Sequence, residues 1–173
     1  IDLTKARRID DGHFAGSEEA FRHWDEEGNV PATCSKCHTT DGLPLFLKEG
    51  LTMSQPPSNG LKCTTCHDNL DTFSRYEVAS VKFPSGAVVD SKDPNMNLCM
   101  NCHQGHESTV SVNKLTAGLE DDIVSDTLRF LNIHYFAAGT THFGTEAKGG
   151  YEYDGKQYVG LFKHTEGIIG CTD

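Results

Sequence analysis

Cys34-Ser35-Lys36-Cys37-His38, Cys63-Thr64-Thr65-Cys66-His67 and Cys99-Met100-Asn101-Cys102-His103 repeat one pattern three times. Two cysteines three residues apart fall on one side of a helical turn. Both thiols can then add to the two vinyl groups on one edge of a porphyrin. The histidine that follows can swing its imidazole under the ring to the iron. Cys-x-x-Cys-His is the attachment signature of a covalently bound c-type haem, and a haem iron held in this way mainly gains and loses electrons.

Other chemistries fit less well. A structural zinc site usually takes two Cys-x-x-Cys pairs per metal, whereas this chain has three pairs, each with His next in sequence. A redox dithiol does not call for that histidine in every copy. A disulfide framework would close three very small loops and gain little from them. The expected cofactor set is therefore three haems c, bound through Cys34, Cys37, Cys63, Cys66, Cys99 and Cys102, with His38, His67 and His103 as the first axial ligands.

A seventh cysteine, Cys171, stands near the end, in Gly170-Cys171-Thr172-Asp173. Two further residues, Cys and His, would complete a fourth motif. The expectation is a chain cut inside a fourth haem site. The alternative is a lone thiol or an intermolecular disulfide.

Each iron has a second axial position to fill. Six histidines lie outside the motifs: His13, His23, His106, His134, His142 and His164. Six for three irons favours histidine on both faces. Met53, Met96 and Met100 are the other candidates, and methionine ligation would raise the potential, but Met100 lies inside a haem loop, poorly placed to cross to the far face. His134 leads because Ile133, Tyr135 and Phe136 flank it, and a buried imidazole in such company needs a partner. His23, next to Trp24, and His164, shortly before Cys171, come next, followed by His13. His106 and His142 weigh least.

These ligands need elements to position them. Each motif should form a short helix. Ser17 to Gly28 reads as a helix with Ser17 as N-cap, Glu18 and Glu19 at the positive end and Gly28 as the stop. Pro56-Pro57-Ser58-Asn59-Gly60 reads as loop. Val81 to Val89 reads as a hairpin turning on Pro84-Ser85-Gly86. Asp121 to Ala138 carries helical spacing, with Leu131, His134, Tyr135 and Ala138 on one face. Tyr151 to Val159 places Asp154-Gly155 between alternating aromatics, a second hairpin signal. The first cysteines of the motifs are 29 and 36 residues apart, but the intervening sequence does not repeat. No linker divides the chain. One domain over residues 1–173 is expected, mostly irregular, with short α-helices and one or two small β-hairpins organised around the haems.

The composition agrees. Only 36% of the 173 residues are hydrophobic, and 17 are glycine. A core this lean needs cofactors that cross-link distant segments. No stretch reaches the roughly 20 apolar residues of a membrane span. Since the chain begins at Ile1, processing or trimming is expected. Covalent haem attachment in bacteria takes place outside the cytoplasmic membrane, so a periplasmic or extracellular home follows. The formal net charge of -10 disfavours a nucleic-acid partner. It suits solubility first and steering of a basic redox partner second.

The chain resembles the multihaem cytochromes c of anaerobic, often metal-respiring, bacteria. The segments that carry the likeness are Glu19-Ala20-Phe21-Arg22-His23-Trp24-Asp25, Cys99 to Val110, Asn132 to Gly139 and Lys148 to Cys171. In relatives the last of these runs into another Cys-x-x-Cys-His. The resemblance implies bis-histidine haems, closely packed haem pairs and further haems downstream, this sequence being an N-terminal fragment of a larger cytochrome. It carries His134 and His164 over as distal ligands, with His13 or His23 as another. Relatives commonly have Arg where His106 stands and another residue where His142 stands, which weighs against both.

The function expected is electron transfer through three low-potential haems, as a periplasmic or cell-surface carrier in anaerobic respiration. Its partners would be redox proteins, either other cytochromes or a terminal reductase. With both axial positions filled by protein no iron is open to substrate, so the chain is read as a carrier with no catalytic residues. Two rivals remain: the electron-feeding part of a multihaem reductase acting on nitrite, tetrathionate or hydroxylamine, and a self-associating subunit of an extracellular cytochrome filament.

Overall fold

The structure, a computed structural model, describes residues 13, 19–120, 122–162 and 170–172. His164 lies outside the described residues. Contacts group the chain into two compact units, residues 1–76 and 77–173.

In the first unit, residues 19–28 form consecutive turns in place of the helix expected over Ser17 to Gly28, of which Ser17 and Glu18 lie outside the described residues. The Asp25 amide donates to the Arg22 carbonyl at 3.2 Å, and the Gly28 amide donates to the Trp24 carbonyl at 3.0 Å. The carbonyl of Ala20, which a helix would direct to the amide four residues on, points instead to the His38 imidazole. Val30 pairs with Gln55 through two backbone hydrogen bonds and is fully buried.

Helix α1 (Ala32–His38) carries the first motif. Helix α2 (Gly42–Glu49) follows at once and ends at left-handed Gly50, whose N–H returns to the Phe46 carbonyl. Gly50 after a helix is a standard stop. Gly42 allows the two helices to approach closely, since a Cβ there would stand 2.0 Å from the Ser35 carbonyl oxygen. Helix α3 (Cys63–Cys66) carries the second motif and runs into strand β1 (His67–Asn69), which pairs antiparallel with β2 (Ser74–Arg75) through a bulge. The Asn69 side chain turns this hairpin by accepting from the amides of Asp71 and Thr72, an Asx turn.

The second unit opens with the hairpin read from the sequence. Strands β3 (Val81–Lys82) and β4 (Val88–Val89) pair Val81 with Val89 and Lys82 with Val88. Phe83 and Ala87 close the turn by a 2.8 Å backbone bond, and Phe83, Val81 and Val89 are buried. Helix α4 (Pro94–His103) carries the third motif. Its N-cap Asp93 accepts from the Asn95 amide, and Pro94 takes the first helical position, where its missing N–H costs nothing. Helix α5 (Thr109–Thr116) starts on a Ser108–Ser111 capping box. Helix α6 (Ala138–Ala147) is kinked at Gly144, where φ is +44° and a Cβ would stand 2.3 Å from the Val159 carbonyl oxygen.

Two expectations fail here. Residues 122–137 contain no helix despite the helical spacing of Leu131, His134, Tyr135 and Ala138. The carbonyls of Ile133 and Phe136 go sideways, to the His106 amide and the His103 ring, and Phe130, Tyr135 and Phe136 face outward. Tyr151 to Val159 has the expected turn at Asp154-Gly155, with the Lys156 amide on the Tyr153 carbonyl, but no ladder. The Tyr153 amide donates to the Tyr158 hydroxyl, and the Val159 carbonyl is taken by Thr145. The second small hairpin lies at 67–75 instead.

The fold is thus mostly irregular, with short helices and two small hairpins among the described residues. Its largest fully buried side chains include Asn97, Thr39, Thr65 and Ser35 beside Phe83, Met100 and Val30. Hydrogen-bonded polar groups do much of the work that apolar volume does in a richer core.

Candidate haem-attachment sites

Each motif buries at least one of its two intervening residues and leaves its thiols partly or fully exposed. Ser35, Thr65, Met100 and Asn101 are buried, while Cys63 is exposed and the other five motif cysteines are half-buried. One helical turn produces this division, because positions i and i+3 share a side that the positions between them do not. Six thiols that are at least partly accessible suit attachment of a large flat group lying against the chain.

The buried positions tie the motifs to the rest of each unit. In the first unit the Thr65 hydroxyl, inside the second motif, donates to the Thr40 carbonyl at 2.8 Å and accepts from the Lys62 amide at 3.1 Å. Thr40 lies two residues past His38, and its own hydroxyl donates to the Gly60 carbonyl. The Thr39 hydroxyl donates to the Ser35 carbonyl at 2.7 Å and accepts from the Gly42 amide. The first two motifs are therefore bonded to each other almost directly.

In the second unit the anchor is Asn97, two residues before Cys99 and 1% exposed. Its amide group donates to the carbonyls of Val78 and Ala79, both at 2.9 Å, and to Asp90. Its oxygen accepts from the Ser91 amide and hydroxyl. Beside it, hydrogen bonds from Lys92, and then from Asn97, lower the Asp90 carboxyl from 3.8 to about 2.

The three motif histidines share one arrangement. His38 Nδ1 lies 2.7 Å from the Ala20 carbonyl oxygen. His67 Nδ1 lies 2.9 Å from that of Phe73 and 3.2 Å from that of Ser74. His103 Nδ1 lies 2.7 Å from that of Phe136. A carbonyl can only accept, so Nδ1 is the donor in all three bonds, and Nε2 is the nitrogen through which each ring would hold a metal. Such a bond fixes the tautomer and orientation of a ligating histidine and raises its basicity. Nothing in the sequence marks Ala20, Phe73 or Phe136 for this role, because the acceptor is backbone.

The candidate second ligands are distributed unevenly. His134 and His106 stand together, ring centroids 4.7 Å apart, with the His106 amide bonded to the Ile133 carbonyl. This proximity makes His106 a neighbour of the leading candidate, which residue type alone did not reveal. His23 packs edge-on against Trp24 at 4.9 Å, and Trp24 lies 5.4 Å from His38. His13 is exposed, and its carbonyl accepts from the Leu61 amide. His142 is half-buried against Phe143. Met96 and Met100 are core residues, and Met53 is exposed.

Among the described residues no group of three or more His, Cys, Asp or Glu is gathered as a metal site. A haem c asks for one imidazole and two thiols per motif, and each motif carries these residues. The chain is a multihaem cytochrome of the c type, a class of electron carriers.

The family described as cytochrome c7 and related cytochrome c matches residues 19–104, which include all three motifs. The C-type polyheme cytochrome OmcB, from two strains of Geobacter sulfurreducens, is 29% identical over 81% of this chain. The C-type polyheme cytochrome OmcC of Geobacter sulfurreducens is 28% identical over 92% of it. The chain spans 22% of the length of OmcB and 25% of that of OmcC. No solved structure gives a significant match. Among the described residues no helix is long and apolar enough to cross a membrane.

Proposed function

We propose that the chain holds three haems c at Cys34/Cys37, Cys63/Cys66 and Cys99/Cys102, passes electrons among them, and keeps both axial positions of each iron filled by histidine. The observation that carries this reading is the shared hydrogen bond from Nδ1 of His38, His67 and His103 to a backbone carbonyl. A bound haem c would supply one-electron redox chemistry. The protein supplies the rest: it fixes each imidazole, sets the spacing of the first two motifs through Thr40 and Thr65, and tunes the potentials.

Bis-histidine ligation and an Nδ1 proton shared with a carbonyl both favour ferric iron, so low potentials follow. His134 is the first distal ligand in this reading, with His164 and one of His23 and His13 completing the set. The site of action is the periplasm or the cell surface in anaerobic respiration. The partners are redox proteins, other cytochromes or a terminal reductase, and an acidic surface suits a basic docking face.

Replacing His134 with Ala tests the ligand set. The expected outcome is one of three irons turning high-spin in the ferric spectrum and binding carbon monoxide when reduced. A wholly low-spin spectrum in His134→Ala removes that histidine from the set.

A further inference from the structure

Two of the three carbonyls that receive a proximal histidine belong to phenylalanines with left-handed backbones. Phe73 has φ 58° and Phe136 has φ 52°. Positive φ is uncommon for any residue with a Cβ, and in a bulky one it is a true outlier. Strain of this kind persists only where the surroundings over-determine it, and it clusters at functional sites.

Burial of the rings in the core does not explain it. Phe136 is 85% exposed and Phe73 is 40% exposed, so neither ring is a core anchor, although the Phe73 ring stacks on the His67 imidazole with centroids 3.8 Å apart. The settings are also unrelated. Phe73 closes the β1–β2 hairpin, where Asn69 holds the turn. Phe136 precedes α6, where the Ala138 amide returns to the Phe136 carbonyl at 2.7 Å around Ala137 (φ −72°, ψ 53°), an inverse γ-turn. The two phenylalanines lie in different units and different local structures, yet both aim a carbonyl at the Nδ1 of a motif histidine, at 2.9 Å and 2.7 Å.

We propose that Phe73 and Phe136 are positioning residues, whose left-handed backbones aim the carbonyls that orient His67 and His103 and strengthen their donation to iron. This rests on the haem reading above. The first motif reaches the same end through Ala20, so two routes to one bond exist within the chain.

The backbone role separates from the ring in a substitution series. Asn, Ala and Val all remove the ring at position 136. Asn tolerates the left-handed region, Ala adopts it with difficulty, and β-branched Val resists it. In haem-loaded protein, Phe136→Val should raise the potential of one haem enough to lower its oxidised-to-reduced ratio tenfold at fixed electrode potential, about 59 mV for one electron. Exchange of the His103 Nδ1 proton with deuterated solvent, read by paramagnetic NMR, should quicken at least tenfold. Phe136→Asn should change neither, and Phe136→Ala should fall between. At position 73 all three variants also lose the ring stacked on His67, so the backbone role shows there as the excess of the Val effect over the Asn effect. Should the Val variant fail to load haem, the Asn and Ala variants still give the ranking.

Equal shifts in Asn and Ala would assign the effect to the ring and overturn the proposal, as would no shift in any variant. The haem reading fails separately, and would show as a wild-type chain without covalent haem.

Discussion

The two units secure haem motifs by different means. In the first, two motifs lie close in sequence, and one anchors the other: Thr65 of the second motif bonds to the backbone just past the first. In the second, a single motif stands alone, and an internal asparagine ties its helix to the flanking hairpin and loop. The difference shows that a chain with little apolar core can hold its helices through buried, fully bonded polar groups, in whichever arrangement its motif spacing allows. In both, at least one intervening residue of each motif is buried while its thiols stay partly or fully exposed.

The largest effect should come from breaking the second unit's anchor. Asn97→Ala would leave buried carbonyls and the Ser91 amide without that partner. An unpaired buried group costs about 1–3 kcal/mol, so a loss of roughly 3 kcal/mol is expected. Hydrogen exchange should show it over residues 77–116, while protection over residues 30–69 stays unchanged. A loss spread evenly over both units would abolish the contrast.

Thr65→Val should cost less, about 1–2 kcal/mol, because one hydroxyl leaves and the shape stays. Its loss of protection should reach both the first and second motifs and spare the third. Confinement to the second motif alone would show that the Thr65–Thr40 bond does not couple them.

The smallest effect concerns acid. The Asp90 carboxyl is lowered from 3.8 to about 2, first by the Lys92 hydrogen bonds. A depressed carboxyl stabilises the fold above its ordinary pKa, and that contribution is lost as the pH falls from about 4 toward 2. Acid titration of local stability in the second unit should therefore lose part of its slope in Asp90→Asn. An unchanged slope would remove Asp90 from the account.

The parts of this arrangement legible in sequence were those that residue type determines. The three motifs, their short helices, the Pro56–Gly60 loop and the Val81–Val89 hairpin follow from spacing and turn chemistry. Helix α2 also ends on a residue-type signal, the left-handed Gly50. The helices expected over Ser17 to Gly28 and Asp121 to Ala138 did not form where the chain is described. Apolar periodicity says nothing about where carbonyls go. In both stretches a carbonyl is directed to a motif histidine: Ala20 to His38 and Phe136 to His103. For the same reason the acceptors at Ala20, Phe73 and Phe136 carry no mark in the sequence.

The measurement that bears most directly on the central claim is a haem count on the intact chain. Acid-acetone extraction followed by a pyridine haemochrome assay should leave three haems per polypeptide bound through thioethers, with a ferric spectrum that is low-spin throughout. Colour released into the acetone, or zinc in place of iron on elemental analysis, would contradict it.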